Sequence, residues 1–305
     1  MTTAVTVLAP AKLNLALAVG AARPDGMHPI CSWMITVDLH DELDVRRLPD
    51  DRLSRYAILW HADAHKQDEI DWPITSDLAV RAHLALERHV GRRLPIQLKL
   101  EKRIPLGGGL GGGSADAAAM LRALNTLFDL ALPVETLAEI AASVGSDVPF
   151  MVHAGSATVE GVGGSVVPHP SAPDVHAVLV FPSEGCATPD VYRAFDSLDV
   201  PGTDHARVHA MITTTLDPAA VFNDLTAPAI SVAPALGVML ERLAALAERP
   251  AHLSGSGSSL FVVCDDPLHA EHLAAAATQE LDLPAIAVRS VTAEVARPRA
   301  VDVAV

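Results

Sequence analysis

From Lys12 onward, large apolar residues alternate with small or polar ones: Leu13, Leu15, Leu17 and Val19 fall on one face, Lys12, Asn14, Ala16 and Ala18 on the other. A period of two predicts a strand, here with two polar side chains aimed at the same place. Arg23, Pro24, Asp25 and Gly26 predict a tight turn, and the apolar run from Ile30 to Val37 a second, paired strand. Residues 46–76 are polar and irregular, an excursion before helical spacing resumes over Leu78–Val90. Leu94–Leu100 alternates again as a short strand and runs into a glycine-rich stretch. Beyond it Ala117, Met120, Leu121, Leu124, Leu127 and Phe128 form the apolar stripe of a helix, with Ser114 as its expected cap and Asp116 in its first turn. Leu137–Val144 predicts a short helix that Pro149 prevents from continuing. Val175–Phe181 reads as a buried strand, 233–247 as a helix, and His252–Cys264 as a glycine-rich loop followed by a strand. The Pro-, Gly- and Ser-containing stretch 161–173 is the expected boundary between domains 1–165 and 166–305.

Composition narrows the classes. With 305 residues, 50% hydrophobic and 19% charged, the chain is expected to fold as two modest domains around one cleft. Its 37 acidic and 22 basic side chains leave a net charge of −15, which repels nucleic-acid backbones and anionic membranes, so neither is an expected partner. Cys31, Cys186 and Cys264 are far apart and form no CxxC pair, as expected of reduced thiols in a cytoplasmic protein. The N-terminus has no basic region ahead of an apolar stretch, and no window offers the roughly 18 apolar residues a membrane span needs.

Between the strand at 94–100 and the helix, six glycines, Leu110 and a serine fill positions 107–114. Residues without Cβ let backbone amides approach an oxyanion, and the following helix N-terminus adds its dipole, so this is read as a phosphate cradle. Gly107, Gly109 and Gly112 formally satisfy a dinucleotide fingerprint, but Glu135, near the distance required of its acidic partner, falls at the start of another helix. No lysine follows the glycines as a Walker loop requires, and neither HRD nor DFG occurs. Transfer of a phosphoryl group to an alcohol needs charge neutralisation, in-line positioning and a carboxylate near the hydroxyl. Asp147, on a turn at a helix end, is the candidate carboxylate, and Lys12 and Asn14 share a face of the first strand. His61 and His65 have metal-ligand spacing but lack a third ligand, and 254–259 is a second glycine–serine loop that could wrap a ligand or serve as a turn.

Taken in order, APAKLNLAL (9–17), RPDGMH (23–28), PLGGGLGGGSADAAA (105–119), GSDVPF (145–150) and SGSGS (254–258) resemble the hallmark segments of the diphosphocytidyl-methylerythritol kinase family within the GHMP kinases. The resemblance implies an α+β fold of two-layer α/β domains: an N-terminal ATP-binding domain and a C-terminal ferredoxin-like domain, with the active site between them. It implies ATP and Mg²⁺, and phosphorylation of the 2-hydroxyl of 4-(cytidine 5′-diphospho)-2-C-methyl-D-erythritol in the non-mevalonate isoprenoid pathway. Lys12 and Asp147 match the family's catalytic pair. Pro105, Leu106, Gly107, Gly108, Gly109, Leu110, Gly111, Gly112, Gly113, Ser114 and Ala115, with Lys102 just before them, match its ATP-phosphate loop. Asn14, Met27, His28, Thr188 and Tyr192 match its substrate-contacting positions, and Lys12, Lys102 and Arg103 are expected to bring positive charge to the cleft. Three positions depart from the family: Met27 stands for a tyrosine, Asp77 for an asparagine expected at the adenine edge, and Ala115 for a second serine of the loop. No metal ligand is assigned. A GHMP-type kinase of another small alcohol and a catalytically silent nucleotide binder are the rival readings.

Overall fold

The computed structural model describes residues 2–170, 173–198, 203–212 and 216–301. Two long antiparallel strands, β1 (Ala4–Val19) and β2 (Ile30–Arg47), form its spine. The first half continues with β3 (Arg55–Trp60), α1 (Leu78–Val90), β4 (Ile96–Lys102), α2 (Gly112–Leu127), α3 (Val134–Ala142), α4 (Val148–His153), β5 (Ser156–Gly161) and β6 (Ser165–His169). The second half holds β7 (His176–Val180), α5 (Thr188–Phe195), α6 (His205–Met211), β8 (Phe222–Asn223), α7 (Thr226–Val232), α8 (Pro234–Ala247), β9 (His252–Leu253), β10 (Leu260–Cys264), α9 (Pro267–Leu281), β11 (Ala285–Val291) and β12 (Arg299–Ala300).

The length of β2 lets it pair with β5 through 30–35, with β11 at 36–37 and with β4 through 42–47. That joins the two halves into one continuous sheet system, in which β7 lies between β10 and β11. Three cores follow. One face of the first sheet packs under α1–α4 around Leu43, Leu98, Leu121 and Phe150. Its other face, through Leu13, Trp33 and Ile35, meets Ala177, Leu179 and Phe261 of the second sheet. Val178, Val180 and Val262 turn the opposite way, onto the helices of the C-terminal half. Strand β7 is thus buried on both faces, which explains why its sequence reads as an unbroken apolar run.

Two sequence expectations change. The alternation along β1 does not hold, because its register with β2 shifts between Pro10 and Lys12 and again between Asn14 and Ala16. After the second shift Ala16 and Ala18 join Leu13 and Leu15 in the inter-sheet core, while Leu17 and Val19 face the other way. Residues 46–76 are not all irregular: β3 pairs in parallel with β4. The segment 161–173 contains β6, which pairs back onto β5. Among the described residues no helix is long and apolar enough to cross a membrane.

Candidate active site

The two register shifts in β1 bracket Lys12 and Asn14, and irregularities of this kind re-aim side chains out of the regular pleat. Both residues are nearly fully buried. The Lys12 ammonium donates to Asn14 Oδ1, Asn14 Nδ2 donates to Ser32 Oγ at 2.9 Å, and Ser32 Oγ donates to the Ala16 carbonyl at 2.7 Å. The chain of bonds fixes which way the Asn14 amide points. Burial pulls the Lys12 pKa below the ordinary lysine value, opposed in part by the charge of Asp147. Asp147 is half-buried immediately ahead of α4 and makes no capping bond to that helix. Pro149 therefore opens α4 rather than ending the preceding helix, since an early helical position needs no N–H.

Opposite this pair lies the glycine loop. Lys12 N–H donates to the Leu110 carbonyl at 2.9 Å, tying the loop to β1. The second loop, 254–259, holds it from the other side: Ser259 N–H donates to Gly108 O at 3.1 Å and Ser254 Oγ to Gly109 O at 3.0 Å. A Cβ on Gly109 would overlap the Ser254 carbonyl, and one on Gly255 would come within 3.0 Å of Lys12 Nζ. Asn223 pins the second loop, its Nδ2 donating to Leu253 O at 2.9 Å and Gly255 O at 2.7 Å. No local pattern marks Asn223, whose partners lie 30 and 32 residues away.

Several expected roles in this region are corrected by the geometry. Helix α2 begins at Gly112 with Gly111 as its left-handed cap, so Ser114 sits within the first turn rather than capping it. The first amides of a helix have no carbonyl a turn earlier, and Gly112, Gly113 and Ser114 of that turn line the cleft. Ala115 does not line the cleft; its methyl is buried in the core and its N–H donates to Gly111 O at 2.8 Å. Lys102 lines the cleft, but its charge is already used. Its ammonium donates to Asp41 Oδ2 and Asp116 Oδ2, both at 2.6 Å, with all three side chains buried. Burial pushes the Lys102 pKa down, yet the charges of Asp116 and Asp41 outweigh it and hold it above the usual lysine value. For Asp116 burial dominates and raises its pKa well above the ordinary carboxyl range. Asp41, which no local pattern flags, also accepts the backbone N–H groups of Arg103 and Ile104. Arg103 does not line the cleft, so the free positive charge there comes from Lys12 and the start of α2.

The cleft encloses about 740 Å³. At the end away from the glycines, His28 is clamped: its Nδ1 lies 2.9 Å from Gly20 O and its Nε2 3.2 Å from Asp196 Oδ1. Its ring packs 4.9 Å from the Tyr192 ring. Burial, then the charge of Asp147, push the Tyr192 hydroxyl up to about 12, which puts this ring within electrostatic reach of the Lys12–Asp147 centre. Thr188 opens α5, its hydroxyl 2.7 Å from Ser256 Oγ of the second glycine loop. Met27, at the tip of the 23–28 turn, is 47% exposed at the cleft mouth, free to cover a ligand. Asp77 has a structural duty at the start of α1. It caps α1, accepting Ala79 N–H at 2.9 Å and the Trp72 indole N–H at 3.2 Å, so each of its oxygens already takes one donor. His61 follows β3 in an irregular stretch, where its Nδ1 accepts the Asp63 N–H, and it joins no metal-ligand group with His65.

The site thus joins a glycine-lined loop to a buried lysine that feels the charge of a carboxylate. Family models for the GHMP kinases N terminal domain and the GHMP kinases C terminal match residues 77–155 and 200–283. The 4-diphosphocytidyl-2-C-methyl-D-erythritol kinase of Mycolicibacterium smegmatis is 36% identical over 273 residues, covering 86% of this chain and 82% of the relative. That of Salinispora tropica is 37% identical, covering 89% and 87%. The chain belongs to the 4-diphosphocytidyl-2-C-methyl-D-erythritol kinase family of GHMP kinases. A crystal structure of a 4-(cytidine 5′-diphospho)-2C-methyl-D-erythritol kinase superposes with a TM-score of 0.75 at 33% identity, over 93% of this chain and 98% of the other. A homoserine kinase from Cytophaga hutchinsonii, at 20% identity and a TM-score of 0.67, shares the GHMP fold alone. The α+β two-part architecture of the family is the one seen here.

Proposed function

We propose that the protein transfers the γ-phosphoryl group of ATP to the 2-hydroxyl of 4-(cytidine 5′-diphospho)-2-C-methyl-D-erythritol, a step in the non-mevalonate supply of isoprenoid precursors. The observation that carries this reading is one cleft in which buried Lys12 and half-buried Asp147 stand between the glycine loop and the His28–Tyr192 pocket. In the reaction the acceptor hydroxyl attacks the γ-phosphorus, its proton passes to the Asp147 carboxylate, and the bond to the β-phosphate oxygen breaks to release ADP. Lys12, uncommitted to a salt bridge, favours the ionised carboxylate and the developing alkoxide by its charge. Asn14 keeps that ammonium aimed. The glycine-loop amides and the start of α2 hold the phosphates, and Thr188, Met27 and the faces of His28 and Tyr192 hold the cytidine end.

Magnesium fits this cleft as an ion carried by the nucleotide. The glycine loop offers one side-chain oxygen on the cleft, Ser114, and a nucleotide-borne Mg²⁺ keeps phosphate oxygens and waters for the rest of its shell. Bound there, it neutralises charge on the phosphates. Asp41 and Asp116 do not line the cleft, and Lys102 binds one oxygen of each.

ADP release by the purified protein with Mg-ATP tests the reading, with the cytidylated alcohol compared against methylerythritol, homoserine and mevalonate. Turnover with the cytidylated alcohol alone is expected. Turnover with another acceptor would move the assignment to a different GHMP kinase, and ATP binding without turnover would make the protein a silent binder.

A further inference from the structure

Outside the cleft, a second set of chemically reactive side chains converges on the edge of the first sheet. Cys31, the second residue of β2, is directly paired, across the sheet, with Glu160 of β5. Helix α6 lies over this pair and presents His205 and His209, one turn apart on the same face. Glu160 Oε1 lies 2.9 Å from His205 Nδ1, 3.3 Å from His209 Nε2 and 3.7 Å from Cys31 Sγ. All four donor atoms fall within 4.8 Å of one another. They come from three segments far apart in sequence, so only the tertiary fold collects them.

We infer that Cys31, Glu160, His205 and His209 form a structural site for a divalent zinc-type cation. One thiolate, two imidazoles and one carboxylate are the donor types zinc takes, and a tetrahedral shell sets its donors about 3.3–3.8 Å apart. The observed separations need only small side-chain adjustment to meet that. The other cluster of acidic side chains among the described residues, Glu42, Asp44 and Glu101, offers oxygen alone. A mixed sulfur–nitrogen shell selects against magnesium and calcium, which the kinase reaction would bring near. The thiolate and carboxylate balance the charge of the ion. As the Sγ–metal bond forms, the Cys31 S–H bond breaks and its proton passes to solvent. Both histidines are half-exposed and Cys31 is buried, so the ion enters from the α6 side and closes over the thiol. Four protein donors fill the shell and leave no open position, so the ion would fasten α6 to β2 and β5 rather than perform chemistry. Two residues ahead of α6, the chain bears on the substrate turn: Thr203 Oγ1 donates to Pro29 O at 3.5 Å, next to His28.

The test uses the full-length protein without an affinity tag, stripped with a chelator and titrated with Zn²⁺ against a chromogenic competitor. One Zn²⁺ per chain is expected, with affinity weakened about 10²-fold or more by the paired substitution His205→Ala and His209→Ala. The melting temperature should rise with Zn²⁺ in the wild type and stay flat in the double variant. Co²⁺ in place of Zn²⁺ should show a thiolate-to-metal charge-transfer band that Cys31→Ser removes. If Cys31→Ser does not fold, the double-histidine variant, altered at exposed positions, still decides. Zn²⁺ binding equal in wild type and double variant, no binding in either, or a Co²⁺ spectrum without the thiolate band would each overturn the site.

Discussion

Asp147 has no helix-capping duty, so its carboxylate is available to a ligand, and buried Lys12, which feels its charge, has no salt-bridge partner among the described residues. Replacing Asp147 by Asn keeps the shape while removing the base. The expected result is kcat lowered by about 10² or more with little change in KM for ATP or the cytidylated alcohol; near-normal turnover would remove Asp147 from the mechanism. Lys102 makes the opposite case. Its substitution by Met leaves two buried carboxylates facing each other, which should cost on the order of 3–5 kcal/mol in urea unfolding. Adding Asp116→Asn should recover part of that loss, since the pair is coupled. The two lysines look alike in sequence, each on a strand beside a motif. What separates them is Asp41, 61 residues from Lys102, which no local pattern connects to it.

The glycine loop works as an element because a second loop packs flush against its backbone. Gly109 has a φ of 71° and no room for a Cβ against Ser254, whereas Gly107, with a φ of 63°, faces open space. Gly109→Ala should displace the loop and lower kcat/KM for ATP by about 10², the scale of a misplacement near 1 Å. Gly107→Ala should cost only the left-handed backbone strain, about 1–2 kcal/mol. Equal losses in the two steady-state assays would show that loop contact does not set phosphate position. At this scale much was legible. The helix over Leu78–Val90 has the bounds its periodicity predicts, and α2 starts two residues before the serine expected to cap it. Strand β3 was not legible, because its six residues carry apolar side chains on both faces and its pairing with β4 is parallel and non-local.

Across the whole molecule, acid sensitivity follows from where histidines are buried. Burial lowers His252 to about 4, and lowers His83 and His153 as well. These groups are neutral when folded but take up protons near pH 6.5 once unfolded, so the unfolded state binds more protons through the interval between. Stability should therefore fall as pH drops from about 6.5 towards 4. The urea midpoint at pH 5 is expected below that at pH 7.5, and His252→Phe, which also removes a buried nitrogen without a partner, should reduce the difference. An unchanged difference would place the acid-sensitive groups elsewhere. The sequence by itself determined the strand and helix periods, the glycine loop, and the types of group the chemistry needs, because each depends on neighbours within a few residues. Only the tertiary structure decided that Lys102 is held between Asp41 and Asp116, that Asp77 caps a helix, and that Cys31, Glu160, His205 and His209 meet. Those outcomes depend on burial and on strand register between distant residues, and a register shift such as those around Lys12 redirects side chains while leaving the local sequence pattern intact.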